Sequence, residues 1–275
     1  MKRTIAIVAG GDSSELVVSL RSAQGLYSFI DKERYNLYIV EMEGHRWEVV
    51  LPDGSKTPID RNDFSFMENG EKKHFDFAYI TIHGTPGENG ILQGYFDLLG
   101  IPYSSCNVLV SAMTFNKFTC NQYLKGFGIR VAESLILRKG FEITDEEVIN
   151  KIGLPCFIKP NAGGSSFGVT KVKTKEDIQP AIEKAFKESD EVMIEAFMRG
   201  TEITCGCYKT SDKEVVFPIT EVVSANEFFD YGAIMRLMVK LENFKKFLPG
   251  DTRRDVTLKD VYNKVENGEL ELVGL

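Results

Sequence analysis

Residues 158–169 read "IKPNAGGSSFGV", in which Lys159 ends a strand-like segment and a loop rich in glycine and serine follows Pro160. A cation beside a row of free backbone N–H groups suits an anionic polyphosphate. The Walker spacing G-x-x-x-x-G-K-[ST] is absent, so an ordinary P-loop does not explain the run. Because glycine-rich loops are also common in hairpins, two interpretations stay open: a phosphate-holding loop and a hairpin turn with a surface lysine.

The segments around this run predict an α+β unit. "IRVAESLIL", "PCFIKP" and "EVMIEAFM" have the apolar, β-branched composition of strands, and "KEDIQPAIEKAFKES" has the periodicity of a helix. Residues 111–126 are also predicted to be helical. The glycine loop therefore follows directly from a strand of a small sheet.

The N-terminal part predicts a second sheet. Residues 4–9 are apolar and β-branched, end in Gly10-Gly11 and precede a helical pattern over residues 14–30. Strands that alternate with helices in this way are typical of a parallel sheet, whose ligands gather at the carboxyl ends of the strands. We therefore expect residues 10–15 and 83–90 to share one functional edge.

Composition narrows the class of protein. The 275 residues are 43% hydrophobic, with 33 basic and 40 acidic side chains and a net charge of −7, which argues against nucleic acid or an anionic membrane as the partner. The five cysteines lack C-x-x-C pairs, which favours reduced, buried thiols over a zinc site or disulfides. No apolar run reaches spanning length, and the N-terminal one is too short for a signal peptide, so we expect a cytoplasmic location.

Six motifs, in order, resemble the D-alanine–D-alanine ligases of the ATP-grasp superfamily. They are "GGDSSE" (10–15), "HGTPGENGILQGYFDLLGIPYS" (83–104), "SAMTFNKFTCNQYLKGFGI" (111–129), "GLPCFIKPNAGGSSFGV" (153–169), "EAFMRGTEIT" (195–204) and "NEFFDYGA" (226–233). One such motif would be weak evidence, but six in the same order are specific.

The resemblance implies a fold and a reaction. The fold class is α/β and α+β, a parallel-sheet N-terminal domain followed by an ATP-grasp domain that is incomplete at its C-terminus. The implied domains are a substrate-binding domain at 1–108, a central lid domain at 109–193 and a partial C-terminal domain at 194–275. In such ligases ATP phosphorylates the carboxylate of one D-alanine, and the amine of a second D-alanine attacks the acyl phosphate to form a peptidoglycan precursor.

The resemblance also implies roles for individual residues. Lys117 and Lys159 would hold the phosphates of ATP. The loop with Ser165 and Ser166 would close over the γ-phosphate, and Ser165 would orient the reacting groups. Glu15 would bind the ammonium of the first D-alanine, and His83 would line the substrate site. The adenine and ribose would contact four residues near the end of the last strand: Glu195, Phe197, Met198 and Glu202.

Without the resemblance, these residues have ordinary explanations. Lys117 would lie on the solvated face of a helix, Glu15 would be a first-turn carboxylate, and Phe197 and Met198 would be core. His83 would be structural, as most lone histidines are. The family expectation is therefore a specific alternative to each of these explanations.

The sequence departs from the family at several points. Asn116 replaces the usual acidic residue, "GENG" replaces "GEDG", and Leu16-Val17-Val18 replaces a polar pair. Beyond Ala233 the expected Lys-Tyr pair is Ile234-Met235, and no Glu-x-Asn follows, so no ligand for the expected Mg²⁺ or Mn²⁺ is identifiable. Residues 234–248 predict an amphipathic helix instead.

Three origins of this tail stay open: a truncated or frame-shifted product, a fused segment, or divergence. The function hypotheses are an ATP-dependent D-alanine ligase, a nucleotide-binding remnant without ligase activity, and a chain that self-associates through the 234–248 helix. The expected partners are ATP and D-alanine. A homodimer is left open.

Overall fold

The computed structural model describes residues 2–164, 166–209 and 212–221. Ser165, the "NEFFDYGA" motif and the helix predicted at 234–248 lie outside these ranges. Contacts divide the chain into one unit that ends at Phe197 and another that begins at Met198. No helix in the described ranges is long and apolar enough to cross a membrane.

The N-terminal part of the first unit is built on a five-stranded sheet with the order β4-β3-β2-β1-β7. Its elements along the chain are β1 (Arg3–Gly10), α1 (Leu16–Phe29), β2 (Tyr35–Glu43), β3 (Arg46–Val50), β4 (Lys56–Pro58), β5 (Phe66–Glu68), β6 (Glu71–Lys73), β7 (Phe77–Ile80) and α2 (Ile91–Leu99). Strands β5 and β6 form a separate two-stranded ribbon.

The central strand β1 is buried on both faces. Because side chains alternate along a strand, Ala6 and Val8 face an aromatic core, whereas Ile7 and Ala9 pack toward α1. Phe64 and Phe96 lie in that core with ring centroids 4.9 Å apart. This packing fixes the carboxyl end of β1, from which the predicted substrate loop emerges.

Gly10 ends β1 in a conformation that a side chain would not tolerate. Its φ is +103°, and a Cβ at this position would lie 2.2 Å from the carbonyl oxygen of Met42 on β2. The next amide, Gly11 N–H, donates to that same oxygen at 2.7 Å. The glycine therefore allows the chain to turn away from the sheet at this point.

The central part contains a four-stranded antiparallel sheet with the order β10-β9-β11-β8. Its elements are α3 (Val108–Phe115), α4 (Lys117–Gly126), β8 (Ser134–Arg138), α5 (Asp145–Lys151), β9 (Cys156–Pro160), β10 (Thr170–Val172), a 3-10 turn (Lys175–Asp177), α6 (Ile178–Ala185) and β11 (Glu191–Ala196). Val148 of α5 and Ile178 and Ile182 of α6 join the strand side chains in one apolar core.

The described part of the second unit contains two antiparallel ribbons. Their strands are β12 (Ile203–Thr204), β13 (Cys207–Lys209), β14 (Glu214–Val216) and β15 (Thr220–Glu221). Strand β12 pairs with β15, and β13 pairs with β14.

The predicted α/β and α+β elements are present, with differences in detail. The N-terminal sheet is parallel only across β2, β1 and β7, because β3 and β4 extend it in antiparallel pairings that the sequence patterns did not predict. The helix predicted over 111–126 is two helices. Asn116 separates them, and its side chain caps α4 by accepting the Thr119 N–H.

The prediction that the cysteines are buried was wrong for most of them. Cys156 is buried because it points inward from β9, whereas Cys120 is half-buried. The other three, Cys106, Cys205 and Cys207, are exposed, because they lie in a loop and at the start of a solvent-facing ribbon. All five are free thiols. The domain boundaries expected at 108 and 193 stay predictions.

Candidate functional site

The loops after β1 and β7 meet, as the parallel strands predicted. Asp12 N–H donates to the carbonyl oxygen of Thr85 at 2.8 Å, and the hydroxyl of Ser13 donates to the carbonyl of His83 at 2.7 Å. The two segments therefore form one edge of the N-terminal sheet. His83 contributes its backbone to this edge, while its half-buried side chain is not among those lining the described cavities.

Glu15 lies at the start of α1 and is only 4% exposed. It lines a cavity of about 260 Å³ together with Ser13, Gly84 and two glycines of the loop after β9, Gly163 and Gly164. A Cβ on Gly164 would lie 2.7 Å from Oε2 of Glu15, so the carboxylate is packed against the backbone of this loop. A buried carboxylate in a cavity of this size suits the ammonium group of a small amino acid.

The loop after β9 contains residues whose φ angles are positive. Gly163 has a φ of +132°, and Ser166 has a φ of +58° although it is not glycine. Glu188 and Ser14 line the same cavity as Glu15, and the carboxylate of Glu188 accepts a hydrogen bond from the Ser14 hydroxyl at 2.8 Å. Residues 162–164 and Phe167 line the cavity that contains Glu15, and we call the described residues 162–164 and 166–168 the lid.

Lys117, the first residue of α4, reaches the same lid. Its Nζ donates to the carbonyl oxygen of Gly163 at 2.7 Å. Burial lowers the pKa of Lys117 from its ordinary 10.5 to about 8, and the nearby charge of Lys159 acts in the same direction. Three carboxylates, those of Glu15, Glu88 and Glu195, offset part of this effect. Lys117 is thus a desolvated cation rather than the solvated surface lysine that its helix pattern alone would suggest.

Lys159 forms an ion pair with Glu195 across two adjacent strands. Strand β9 pairs antiparallel with β11 so that Lys159 lies opposite Met193, one diagonal step from Glu195 on the same face. The two side chains are 22% and 16% exposed. The register of the central sheet therefore brings together the lysine expected at the phosphates and the glutamate expected at the adenine.

Phe197 follows β11 and lies beside the same strands. Its ring centroid is 6.0 Å from that of Phe157, and the amine of Lys171 lies 4.0 Å from its centroid. Met198, which is 62% exposed, and the exposed Glu202 belong to the second unit. Ser166 is part of the lid, and Ser165 lies outside the described residues.

A second cavity, of about 370 Å³, also lies against the lid. Lys117, Glu88 and Gln93 line it, and it shares Gly163 and Gly164 with the first cavity. Gln93 is fully buried and its Oε1 has no hydrogen-bond partner. Sequence reasoning missed Gln93, Glu88 and Glu188 as site residues. Only "GENGILQG" within the second motif pointed to the first two.

No metal centre can be assigned in the part of the chain that the structure describes. Within residues 2–164, 166–209 and 212–221 there is no cluster of three or more histidine, cysteine, aspartate or glutamate side chains able to hold an ion. The described residues therefore identify no ligand for the Mg²⁺ or Mn²⁺ that the family resemblance implies.

Comparison with protein-family models identifies two matches. Residues 4–106 match the model described as D-ala D-ala ligase N-terminus, and residues 123–245 match D-ala D-ala ligase C-terminus. Together these matches cover most of the chain. The second extends beyond Ala233, into residues outside those the structure describes.

Curated relatives agree with these models. The chain is 99% identical over 233 residues to a D-alanine–D-alanine ligase of Phocaeicola vulgatus, which covers 85% of this chain and 72% of that relative. It is 76% identical, over the same shares, to a D-alanine–D-alanine ligase of Bacteroides fragilis.

Solved structures show the same fold. The VanG D-Ala:D-Ser ligase of Enterococcus faecalis is 29% identical with a TM-score of 0.71, over 84% of this chain and 73% of that one. The D-alanyl-alanine synthetase A of Vibrio cholerae is 27% identical with a TM-score of 0.73, and the match covers 98% of this chain and 79% of that one. The expected ATP-grasp architecture is confirmed, and the nucleotide-binding remnant is not favoured. The chain belongs to the D-alanine–D-alanine ligase family, the ATP-dependent ligases that join two D-alanines for peptidoglycan synthesis.

Proposed function

We propose that the lid closes over the two reactants of the ligase reaction, with the phosphates of ATP near Lys117 and the first D-alanine near Glu15. The observation that carries this proposal is that both side chains contact adjacent lid glycines. Lys117 donates to Gly163, and Glu15 packs against Gly164. A lid that contacts both Lys117 and Glu15 can bring the phosphoryl group of ATP and the carboxylate of D-alanine into line for transfer.

Charge neutralisation is the main task of such a site. The family reaction transfers the γ-phosphoryl group of ATP to the carboxylate of the first D-alanine, and the amine of the second D-alanine then displaces phosphate. Lys117 and Lys159 supply positive charge for the phosphates. In the structure these amines contact Gly163 and Glu195, so ATP must take the place of these protein acceptors.

The remaining residues complete the proposed binding site. The hydroxyls of Ser165 and Ser166 orient the phosphoryl group, and Glu15 holds the ammonium of the first D-alanine. Near the end of β11, Glu195, Phe197 and Met198 receive the adenine, and Glu202 receives the ribose hydroxyls. His83 supports the substrate loop through the hydrogen bond that its carbonyl accepts from Ser13.

We further propose a cytoplasmic location, where ATP is available, and a requirement for Mg²⁺ or Mn²⁺ as in the family. The homodimer depends on the family resemblance alone. Light scattering of the purified chain would measure its mass directly.

The proposal is tested by measuring phosphate release and D-alanyl-D-alanine formation with the purified full chain, ATP, Mg²⁺ and D-alanine. D-Serine as the second substrate and L-alanine serve as comparisons, because one structural relative is a D-Ala:D-Ser ligase. We expect phosphate release that depends on D-alanine and that falls at least about 100-fold in Lys117→Ala, since a charged group at a transferring phosphoryl contributes several kcal/mol. ATP binding without phosphate release would instead match the nucleotide-binding remnant.

A further inference from the structure

Asn161 lies between the two lysines of the proposed phosphate site, yet the family motifs assign it no role. It follows Lys159 and Pro160 at the end of β9 and precedes the lid. Although it is a polar residue in a loop, it is only 1% exposed. A buried amide at this point needs an explanation, because polar groups are buried at a cost unless they are hydrogen-bonded.

Four hydrogen bonds satisfy Asn161. Its backbone N–H donates to the carbonyl of Glu191 at 2.9 Å, and its own carbonyl accepts the Lys117 N–H at 3.0 Å. In the side chain, Oδ1 accepts the Phe118 N–H at 2.8 Å and Nδ2 donates to Oε2 of Glu191 at 2.7 Å. Asn161 thus joins the beginning of α4 to the beginning of β11.

The bonds to α4 are the ones that concern Lys117. The first N–H groups of a helix have no acceptor within the helix and must find one elsewhere. Two of them, those of Lys117 and Phe118, bond to the backbone and side-chain oxygens of Asn161. The backbone from which the Lys117 side chain extends is therefore fixed directly to the end of the strand that presents Lys159.

Glu191 determines which way the Asn161 amide points. Its carboxylate accepts hydrogen bonds from Nδ2 of Asn161, Nδ2 of Asn116 and Nε of Arg138, the last at 2.9 Å. Burial raises the pKa of Glu191, but the hydrogen bonds from Asn161 and Arg138 outweigh burial and leave the pKa below its ordinary value. An ionised carboxylate can only accept hydrogen bonds, so Glu191 bonds to the NH₂ of Asn161. The Oδ1 atom of Asn161 therefore faces α4, where it accepts the Phe118 N–H.

We propose that Asn161, oriented by Glu191, is a positioning residue that sets the distance between Lys117 and Lys159 and thereby forms the two-cation site for the phosphates of ATP. This inference rests on the proposed function of the two lysines. It goes beyond that function by assigning the spacing of the cations to an amide and a carboxylate that do not contact the nucleotide.

The first test needs no nucleotide. Competitive labelling of amines with acetic anhydride at several pH values, read by peptide mass spectrometry, gives the pKa of each lysine in the full chain. In the unmodified chain we expect a pKa of about 8 for the Lys117 amine. In Asn161→Ala the Phe118 N–H loses its acceptor, while the Lys117 N–H keeps the backbone carbonyl of residue 161. The first turn of α4 is then held less firmly and water reaches it, so the pKa of Lys117 is expected to rise toward its ordinary 10.5.

The second test is a double-mutant cycle on ATP affinity, measured by calorimetry with the full chain. We expect Asn161→Ala to weaken ATP binding about 10-fold, which corresponds to about 1.4 kcal/mol and to the loss of one buried hydrogen bond. If Asn161 acts through Lys117, the same substitution in a Lys117→Ala background changes the affinity less than about 2-fold. Equal losses in both backgrounds would show general damage and would overturn the inference.

Controls separate positioning from stability. Asp190→Asn removes an exposed ion pair with Lys139, one residue from Glu191, and is expected to change neither the Lys117 pKa nor ATP affinity. Glu191→Gln keeps the volume of the side chain and serves if Asn161→Ala does not fold. Glu191→Gln should raise the Lys117 pKa as Asn161→Ala does, because the amide of Asn161 is then no longer held in one orientation.

The outcomes also separate this inference from the proposed function. A raised Lys117 pKa in a chain that never binds ATP would support the positioning role and contradict the phosphate site. A folded Asn161→Ala chain with an unchanged Lys117 pKa would overturn the positioning role, whatever its ATP affinity.

Discussion

The amine of Lys117 donates a 2.7 Å hydrogen bond to the carbonyl oxygen of Gly163, which joins the first turn of α4 to the lid 46 residues later in the chain. The same lid lies against Glu15 through Gly164. The two sides of the proposed reaction are therefore linked through two adjacent peptide groups. We expect a ligand that attracts the Lys117 amine to break the hydrogen bond to Gly163 while the contact between Glu15 and Gly164 remains.

Lys117→Met is expected to stabilise the fold at neutral pH. The pKa of Lys117 is about 8 in the folded chain and ordinarily 10.5, so the folded state binds this proton less tightly than the unfolded state. Below about pH 8 both states are charged and the full cost of burying the charge applies. Between about 8 and 10.5 the folded state loses its proton first, and the unfolding free energy rises with pH.

The expected gain for Lys117→Met at pH 7 is on the order of 2 kcal/mol, after the lost bond to Gly163 is subtracted. Urea unfolding at pH 7 and pH 10 measures it, and the difference from the unmodified chain should shrink at pH 10. Lys139→Met, at an exposed lysine, is the control and should change little. A Lys117→Met chain less stable than its parent at pH 7 would contradict the prediction.

Replacing the ion pair between Lys159 and Glu195 is expected to lower ATP affinity more than it lowers the free energy of unfolding. Lys159→Met leaves a carboxylate that is only 16% exposed without its cation, and we expect a loss of about 1 to 3 kcal/mol. The double variant Lys159→Met/Glu195→Leu should regain most of that loss in stability. Its ATP affinity should stay low, because both the phosphate cation and the proposed adenine contact are gone.

Urea unfolding and ATP titration of the single and double variants distinguish the two effects. The exposed pair of Lys139 and Asp190, at 3.0 Å, gives the comparison, and replacing both of these residues with alanine should cost less than about 1 kcal/mol. The prediction fails if the Lys159/Glu195 double variant is less stable than either single variant.

Gly164→Ala is expected to impair the D-alanine side of the site. The new Cβ would lie 2.7 Å from Oε2 of Glu15, so either the lid or the carboxylate must move. We expect the KM for D-alanine to rise about 10-fold, the effect of losing roughly 1.4 kcal/mol of binding, with a smaller change in the KM for ATP. Gly126→Ala, at the end of α4 with no atom within 4 Å of the added Cβ, is the matched control. Equal KM values for D-alanine in the two variants would show that the site tolerates a side chain at residue 164.

The exposure of the thiols leads to a prediction for chemical labelling. Burial raises the pKa of Cys156 to about 11, so roughly 0.1% of it is thiolate at pH 8. Alkylation at pH 8, followed by peptide mass spectrometry, should modify the exposed Cys106, Cys205 and Cys207 within minutes. Cys156 should react only after unfolding. Labelling of Cys156 as fast as Cys106 would mean that the β9 core opens readily.

Local patterns were sufficient for much of the fold. The apolar runs predicted β1, β9 and β11, and the glycines after β1 and β9 marked the two loops that reach the site. These features depend on residues close in sequence, such as the alternation in "CFIKP" or the pair Gly10-Gly11, and so they can be read from one chain. Strands β3 and β4 were missed because their short, charged segments do not show a clear period.

The sequence by itself determined the family and the set of chemical groups at the site, because six motifs in fixed order specify which residues are available. Only the tertiary structure decided how those groups meet. The register of β9 against β11 sets Lys159 beside Glu195, and the end of β9 places Asn161 between α4 and Glu191. Such contacts join residues 30 or more positions apart, and their partners depend on strand pairing and packing rather than on any local pattern.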